Sequence, residues 1–174
     1  MSKELDTCKN ILRLEVVFMN TYEELQDEAC NDGIEIIDNY AFKSERISGL
    51  YCDSTIALSK TLKKTAEKKC VLAEELGHHY TATDNILDQS TVENRKQEMR
   101  GRIVAYNKLV GLRGIVDAYL HHCQSISESA EYLEVTEEFL IDSLTYYRNK
   151  YGVYTKLDNY VIVFEPNIAV LELV

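Results

Sequence analysis

The chain has 174 residues, 45% of them hydrophobic and 28% charged, and carries a formal net charge of −10. That length and balance predict a soluble globular protein of one domain, or one domain with a small appendage, long enough to bury a real core. The acidity counts against nucleic acid as a direct partner, because a phosphate-backbone binder carries a basic footprint. No apolar run approaches the ~20 residues needed to cross a membrane. The longest candidate, Ile11 to Phe18, is interrupted by Arg13 and Glu15 and is not followed by a small-residue cleavage site, so no signal peptide is expected. Cys8, Cys30, Cys52, Cys70 and Cys123 are odd in number and show no C-x-x-C spacing. They predict reduced thiols in a cytoplasm, neither a disulfide frame nor a Cys metal site.

Taken in order, residues 1–21 form an extension that reads equally as a helix stripe or an edge strand, with Met19 an alternative start. Thr21 is an N-cap candidate, with Glu23 and Glu24 in the first turn of a helix Tyr22–Asn31 that ends near Gly33. Ile34–Ile37, Ile47–Tyr51 and Thr55–Leu58 read as strands, the last two joined by the tight turn Cys52-Asp53-Ser54. They predict a small antiparallel sheet.

A long helix follows from about Thr65 to Tyr80. Its first half (Lys63, Lys64, Glu67, Lys68, Lys69) reads as solvated, and its second half turns apolar at Val71, Leu72, Ala73 and Leu76. Gly77 weakens the helix by about 1 kcal/mol relative to Ala, which is tolerable where another backbone or a substrate comes close. Thr81–Gln89 reads as a loop, and Ser90 or Thr91 caps a second long helix to about Val110.

Gly111–His122 reads as a further helix. Ser125–Lys150 reads as a two-helix unit, with Thr136 capping the second helix and Glu137 and Glu138 in its first turn. Ala130-x-x-Leu133-x-Val135 is like helix-turn-helix packing, but the two acids would repel phosphates, which favours packing or a protein contact over DNA reading. Val161–Phe164 and Ala169–Val174 read as terminal strands around Pro166, free to form a late hairpin or to join the earlier sheet. The division expected is 1–21, then a core over 22–122, then the helical pair and terminal β segment over 123–174.

The chemistry concentrates in Ala73-Glu74-Glu75-Leu76-Gly77-His78-His79-Tyr80. The zincin pattern is His-Glu-x-x-His, with two outer metal ligands and an inner general base. Here Glu74 and His78 hold the outer positions and Glu75 the inner one. Residues four apart lie one helical turn apart on the same face, so Glu74 and His78 can share one ion. Carboxylate oxygen and imidazole nitrogen are both ordinary zinc ligands. Downstream, Glu98 falls on the small apolar stripe Gly101, Ala105 and Leu109. It is therefore read as pointing to the core side, where a third ligand belongs. Asp84, Asp88, Glu93, His121 and His122 are its rivals, although His121-His122 reads first as a helix-end pair. His79 and Tyr80 stand as neighbours of the site or contacts to substrate.

At Glu74-Glu75-Leu76-Gly77-His78 with Glu98 downstream, the chain resembles the ImmA/IrrE family of metallo-endopeptidases, in its short prophage and mobile-element form. The resemblance runs from about Tyr22 to Gly152 and takes in Gly49-Leu50-Tyr51-Cys52, Thr55-Ile56-Ala57-Leu58 and Glu98-x-x-Gly-x-x-x-Ala-x-x-x-Leu109. It implies an α+β fold, with the small antiparallel sheet packed on a zincin-like helical core, a C-terminal helix-turn-helix-like pair and terminal strands. It implies Zn²⁺ on Glu74, His78 and Glu98, and Glu75 as base. It also implies cleavage of a helix-turn-helix repressor of the element's own, in the bacterial cytoplasm. Most of the family has His where this chain has Glu74. The harder, more anionic set admits Mn²⁺ or Fe²⁺ beside zinc, or leaves a degenerate site in a non-catalytic, protein-binding anti-repressor.

Overall fold

The computed structural model describes residues 21–81 and 91–173, with residues 91–95 described by their backbone alone. Expectations for residues 1–20, for the loop through Gln89 with Asp84 and Asp88, for the Ser90 cap and for the Glu93 side chain fall outside those residues. The fold is mixed α and β. In chain order it runs α1 (Tyr22–Asn31), β1 (Glu35–Tyr40), β2 (Gly49–Cys52), β3 (Thr55–Ser59), α2 (Thr65–Thr81), α3 (Thr91–Leu109), α4 (Gly111–Leu120), α5 (Ile126–Tyr132), α6 (Glu137–Tyr151), β4 (Tyr154–Leu157), β5 (Tyr160–Val163) and β6 (Ala169–Glu172).

α1 forms where its caps dictate. The Thr21 hydroxyl accepts from Glu24 N–H while the Glu24 carboxylate accepts from Thr21 N–H at 2.8 Å, a full capping box. The helix ends in a Schellman turn, with Gly33 at φ +72° and Ile34 N–H donating to Ala29 C=O at 2.8 Å. Leu25 and Ala29 are fully buried on its inner face.

The first sheet has the order β1-β3-β2 and is mixed, not antiparallel as the sequence suggested. β2 and β3 form an antiparallel hairpin across Asp53-Ser54, both at positive φ as a type I′ turn requires. β1 pairs parallel with β3. Each strand reverses the direction of the one before, so β1 and β3 run the same way, and β3 inserts between its two predecessors. Ile56 and Leu58 make this central strand the buried one, and β2 is left as an edge.

α2 lies under this sheet and against α3. Leu72, Ala73 and Leu76 are fully buried, each leucine contributing about 1.5–3 kcal/mol of burial. Two details depart from the sequence reading. The helix start is held by Glu67, whose Oε2 accepts from Lys63 N–H at 2.8 Å and Lys64 N–H at 3.1 Å, and not by a Thr65 cap. Lys69, expected in solvent, is 1% exposed, with Nζ 2.9 Å from Leu133 C=O and 3.4 Å from Glu134 Oε2. An ammonium tolerates burial when such acceptors replace its water.

The C-terminal strands form their own antiparallel sheet, ordered β4-β5-β6. β4 was not foreseen. Tyr154–Leu157 is short and half-exposed, so its apolar alternation is faint, although the Asp158-Asn159 turn before Tyr160 marked a hairpin. α5 and α6 meet at a tight turn in which Thr136 caps α6 by accepting from Phe139 N–H at 3.2 Å, and Glu137 and Glu138 stand exposed at its start. One hydrophobic cluster runs from Leu25 through Ile56, Leu72, Leu76, Val116 and Tyr147 to Ile162. Among the described residues no helix is long and apolar enough to cross a membrane.

Candidate metal-and-base site on the motif helix

The site is built where α2 passes beneath the β2 edge and crosses α3. Two glycines make the crossing possible. A Cβ on Gly77 would lie 2.2 Å from Gly101 C=O, so the backbones touch. A Cβ on Gly101 would lie 2.7 Å from His78 Nδ1. The absent side chain is therefore the space in which the His78 ring stands. The sequence anticipated a close approach at Gly77, and the approaching group is the α3 backbone.

Glu75 projects from α2 toward β2. Its Oε2 accepts from Tyr51 N–H at 2.9 Å, and a Cβ on Gly49 would sit 2.7 Å from Oε1. Burial pushes its carboxyl up to about 7, against the opposing Tyr51 hydrogen bond, and the charges of Glu74 and Glu98 push the same way. Such a group can take up and release a proton near neutral pH. Glu74 is partly buried and is also raised, first by desolvation; the Arg102 guanidinium opposes this, and Glu98, Asp142 and Glu138 add to it. Its carboxylate thus feels groups on both α3 and α6.

His78 is mostly buried, with Nε2 3.6 Å from Glu98 Oε2. Two ligands at about 2.0–2.1 Å from one tetrahedral ion stand roughly 3.3 Å apart, so this pair has the spacing of two donors to a shared cation. The Glu98 side chain is 66% exposed, which corrects its core-facing assignment. Gly101 begins the buried stripe, and Glu98, a turn earlier, overhangs its end. Among the described residues no three His, Cys, Asp or Glu are gathered as a ready ligand group. The donor chemistry of Glu74, His78 and Glu98 suits a divalent cation, and two of the three are in register, with the Glu74 carboxylate outside the pair.

His79 Nδ1 lies 2.8 Å from the Tyr51 hydroxyl, with the rings edge-to-face. Tyr80 is placed elsewhere. Its hydroxyl reaches Asp32 Oδ2 at 2.6 Å and Glu28 Oε1 at 2.8 Å, beside Lys108 Nζ on Glu28, so it ties α2 to α1 and does not face the site. His121 stacks on Tyr132 at 4.5 Å and His122 closes α4 at φ +63°, the helix-end pair expected. The sequence reading gave no site role to Tyr51, which serves Glu75 with its N–H and His79 with its hydroxyl, nor to Arg102 beside Glu74. The two-residue period of Gly49-Leu50-Tyr51-Cys52, which puts Gly49 and Tyr51 on one face, was the available signal for Tyr51. Comparison with protein-family models, curated proteins and solved structures returned no match.

Proposed function

We propose that the protein is a metal-dependent endopeptidase of the ImmA/IrrE kind, acting in a bacterial cytoplasm on a helix-turn-helix repressor of its own prophage or mobile element. The observation that carries this reading is the joint placement on one helix face of Glu75, held by the Tyr51 N–H of an edge strand, and His78, with Glu98 at 3.6 Å. Glu74, His78 and Glu98 would hold Zn²⁺, with Mn²⁺ or Fe²⁺ as substitutes. A bound cation there supplies Lewis-acid polarisation of a peptide carbonyl and acidifies water. Glu75 takes the proton and returns it to the leaving amine, and its burial, which disfavours the charged carboxylate, favours its taking that proton. The Tyr51 N–H fixes the Glu75 rotamer, and the Tyr51 hydroxyl orients His79.

A second reading keeps the frame without the hydrolysis: an anti-repressor that grips its partner non-catalytically. It is favoured by Glu74 in place of His and by the lack of three gathered ligands among the described residues. Protein purified without chelator separates the two. Hydrolysis predicts near-stoichiometric divalent metal, lost in His78→Ala, and repressor cleavage slowed about 10²–10⁴-fold in Glu75→Gln. Full derepression by Glu75→Gln, with the repressor intact, would establish the binding role instead.

A further inference from the structure

A cavity of about 250 Å³ lies between α4, α5, α6 and β6, away from the motif helix. Ile115, Leu133, Leu140, Leu144 and Val170 give it an aliphatic wall, and no charged side chain lines it. Small residues, Ala118, Ser129 and Ala169, keep it open. The pocket is half open to solvent, with Tyr119, Gln124, Ser125 and Ser129 at its polar edge, and an apolar ligand seated on its aliphatic wall removes that wall from water. The pocket also falls just short of the ~300–1,000 Å³ of drug-sized sites, so its occupant is small.

Two hydroxyls at the α5 edge are already engaged. Ser125 Oγ accepts from Glu128 N–H at 3.1 Å, and Ser129 Oγ donates to Ser125 C=O at 2.9 Å. A second hollow of about 230 Å³ shares Ile126, Leu144 and Ile168 with the first and adds Thr145, Arg148 and Asn167. Arg148 Nε stands 3.9 Å from Glu165 Oε1, with both side chains about half exposed. That is beyond hydrogen-bond length, so the guanidinium fork, which suits a carboxylate bidentately, is open to a better partner. We propose that these two adjoining hollows together bind a short aliphatic carboxylate, its hydrocarbon tail on the aliphatic wall of the first and its carboxylate on Arg148 in place of Glu165.

Octanoate, octanol and acetate are the probes, titrated calorimetrically into the full chain. Octanoate should bind saturably at one site, octanol about tenfold more weakly, and acetate not at all. Arg148→Leu should bring octanoate down to the octanol affinity. Glu165→Gln, which removes the competing anion, should tighten octanoate. Ala169→Phe, at an exposed strand position that accepts an aromatic, should fill the cavity and abolish binding. Glu75→Gln should leave binding unchanged. The proposal is overturned if octanoate shows no saturable binding at millimolar concentration. Equal binding of octanol and octanoate, an unchanged Arg148→Leu, or full binding by Ala169→Phe would each overturn it as well.

Discussion

At Gly77 and Gly101 a missing methyl group decides the site, and the two positions should respond differently. Gly77→Ala gains about 1 kcal/mol of helix propensity but drives a Cβ to 2.2 Å from a backbone carbonyl that cannot move without separating two helices. Urea denaturation should show a net loss of about 1–3 kcal/mol. Gly101→Ala meets first the His78 ring, a side chain that can turn. Its stability should stay within about 1 kcal/mol of wild type, while His78 leaves Glu98 and metal content falls. Lys69 supplies a pH signature. Desolvation holds its folded pKa below the ordinary 10.5, against the pull of Glu134. Between those two values the unfolded chain binds the extra proton, so stability rises with pH; below the folded value the penalty is fully present. Measured against Lys69→Met, the wild type should therefore gain stability as pH is raised from 7 toward 10.5. A flat difference would mean that the ammonium is not desolvated.

Among the helices, the ends are the best-determined features, and they were legible because caps are local chemistry. Thr21, Thr136 and Gly33 each announced a boundary that the structure keeps. Three helices end in the same Schellman geometry, with Gly33, His122 and Glu134 at the left-handed position. Glycine adopts that backbone freely, and a side chain is strained by it. Thermal unfolding should show Gly33→Ala destabilised by about 1 kcal/mol and the exposed His122→Gly stabilised by roughly 0.5 kcal/mol. Strand pairing was less legible than helix ends. The β2–β3 hairpin followed from its turn residues, but the parallel β1–β3 pairing depends on which strand takes the centre, and no local signal carries that.

Across the whole molecule, the hydrophobic cluster joins both sheets and the helices between them, and buried polar contacts fasten the C-terminal helices to the core. Lys69 of α2 holds the α5 terminus at Leu133 C=O, and the Tyr147 hydroxyl of α6 donates to Tyr106 C=O of α3 at 3.0 Å. One core predicts one cooperative unfolding transition, coincident in far- and near-UV circular dichroism. Tyr147→Phe should weaken it by about 1–2 kcal/mol, since Tyr106 C=O loses a buried donor. Two separated transitions would show that the C-terminal helices and sheet fold as a unit of their own.

The spacing of Glu74, Glu75 and His78 was legible in the sequence, because a helix places residues three and four apart on one face whatever surrounds it. The mixed α and β class, the helix boundaries and the need for a close approach at Gly77 came from the same local rules. Tertiary structure alone decided what those residues meet. It set Tyr51 N–H on Glu75, Gly101 beneath His78, Glu98 at the open end of its stripe, Lys69 in the interior and Tyr80 on α1. The physical reason is that periodicity fixes the direction of a side chain from its own axis. Burial and partnership depend on where a second axis crosses, and here that crossing is set by two glycines 24 residues apart.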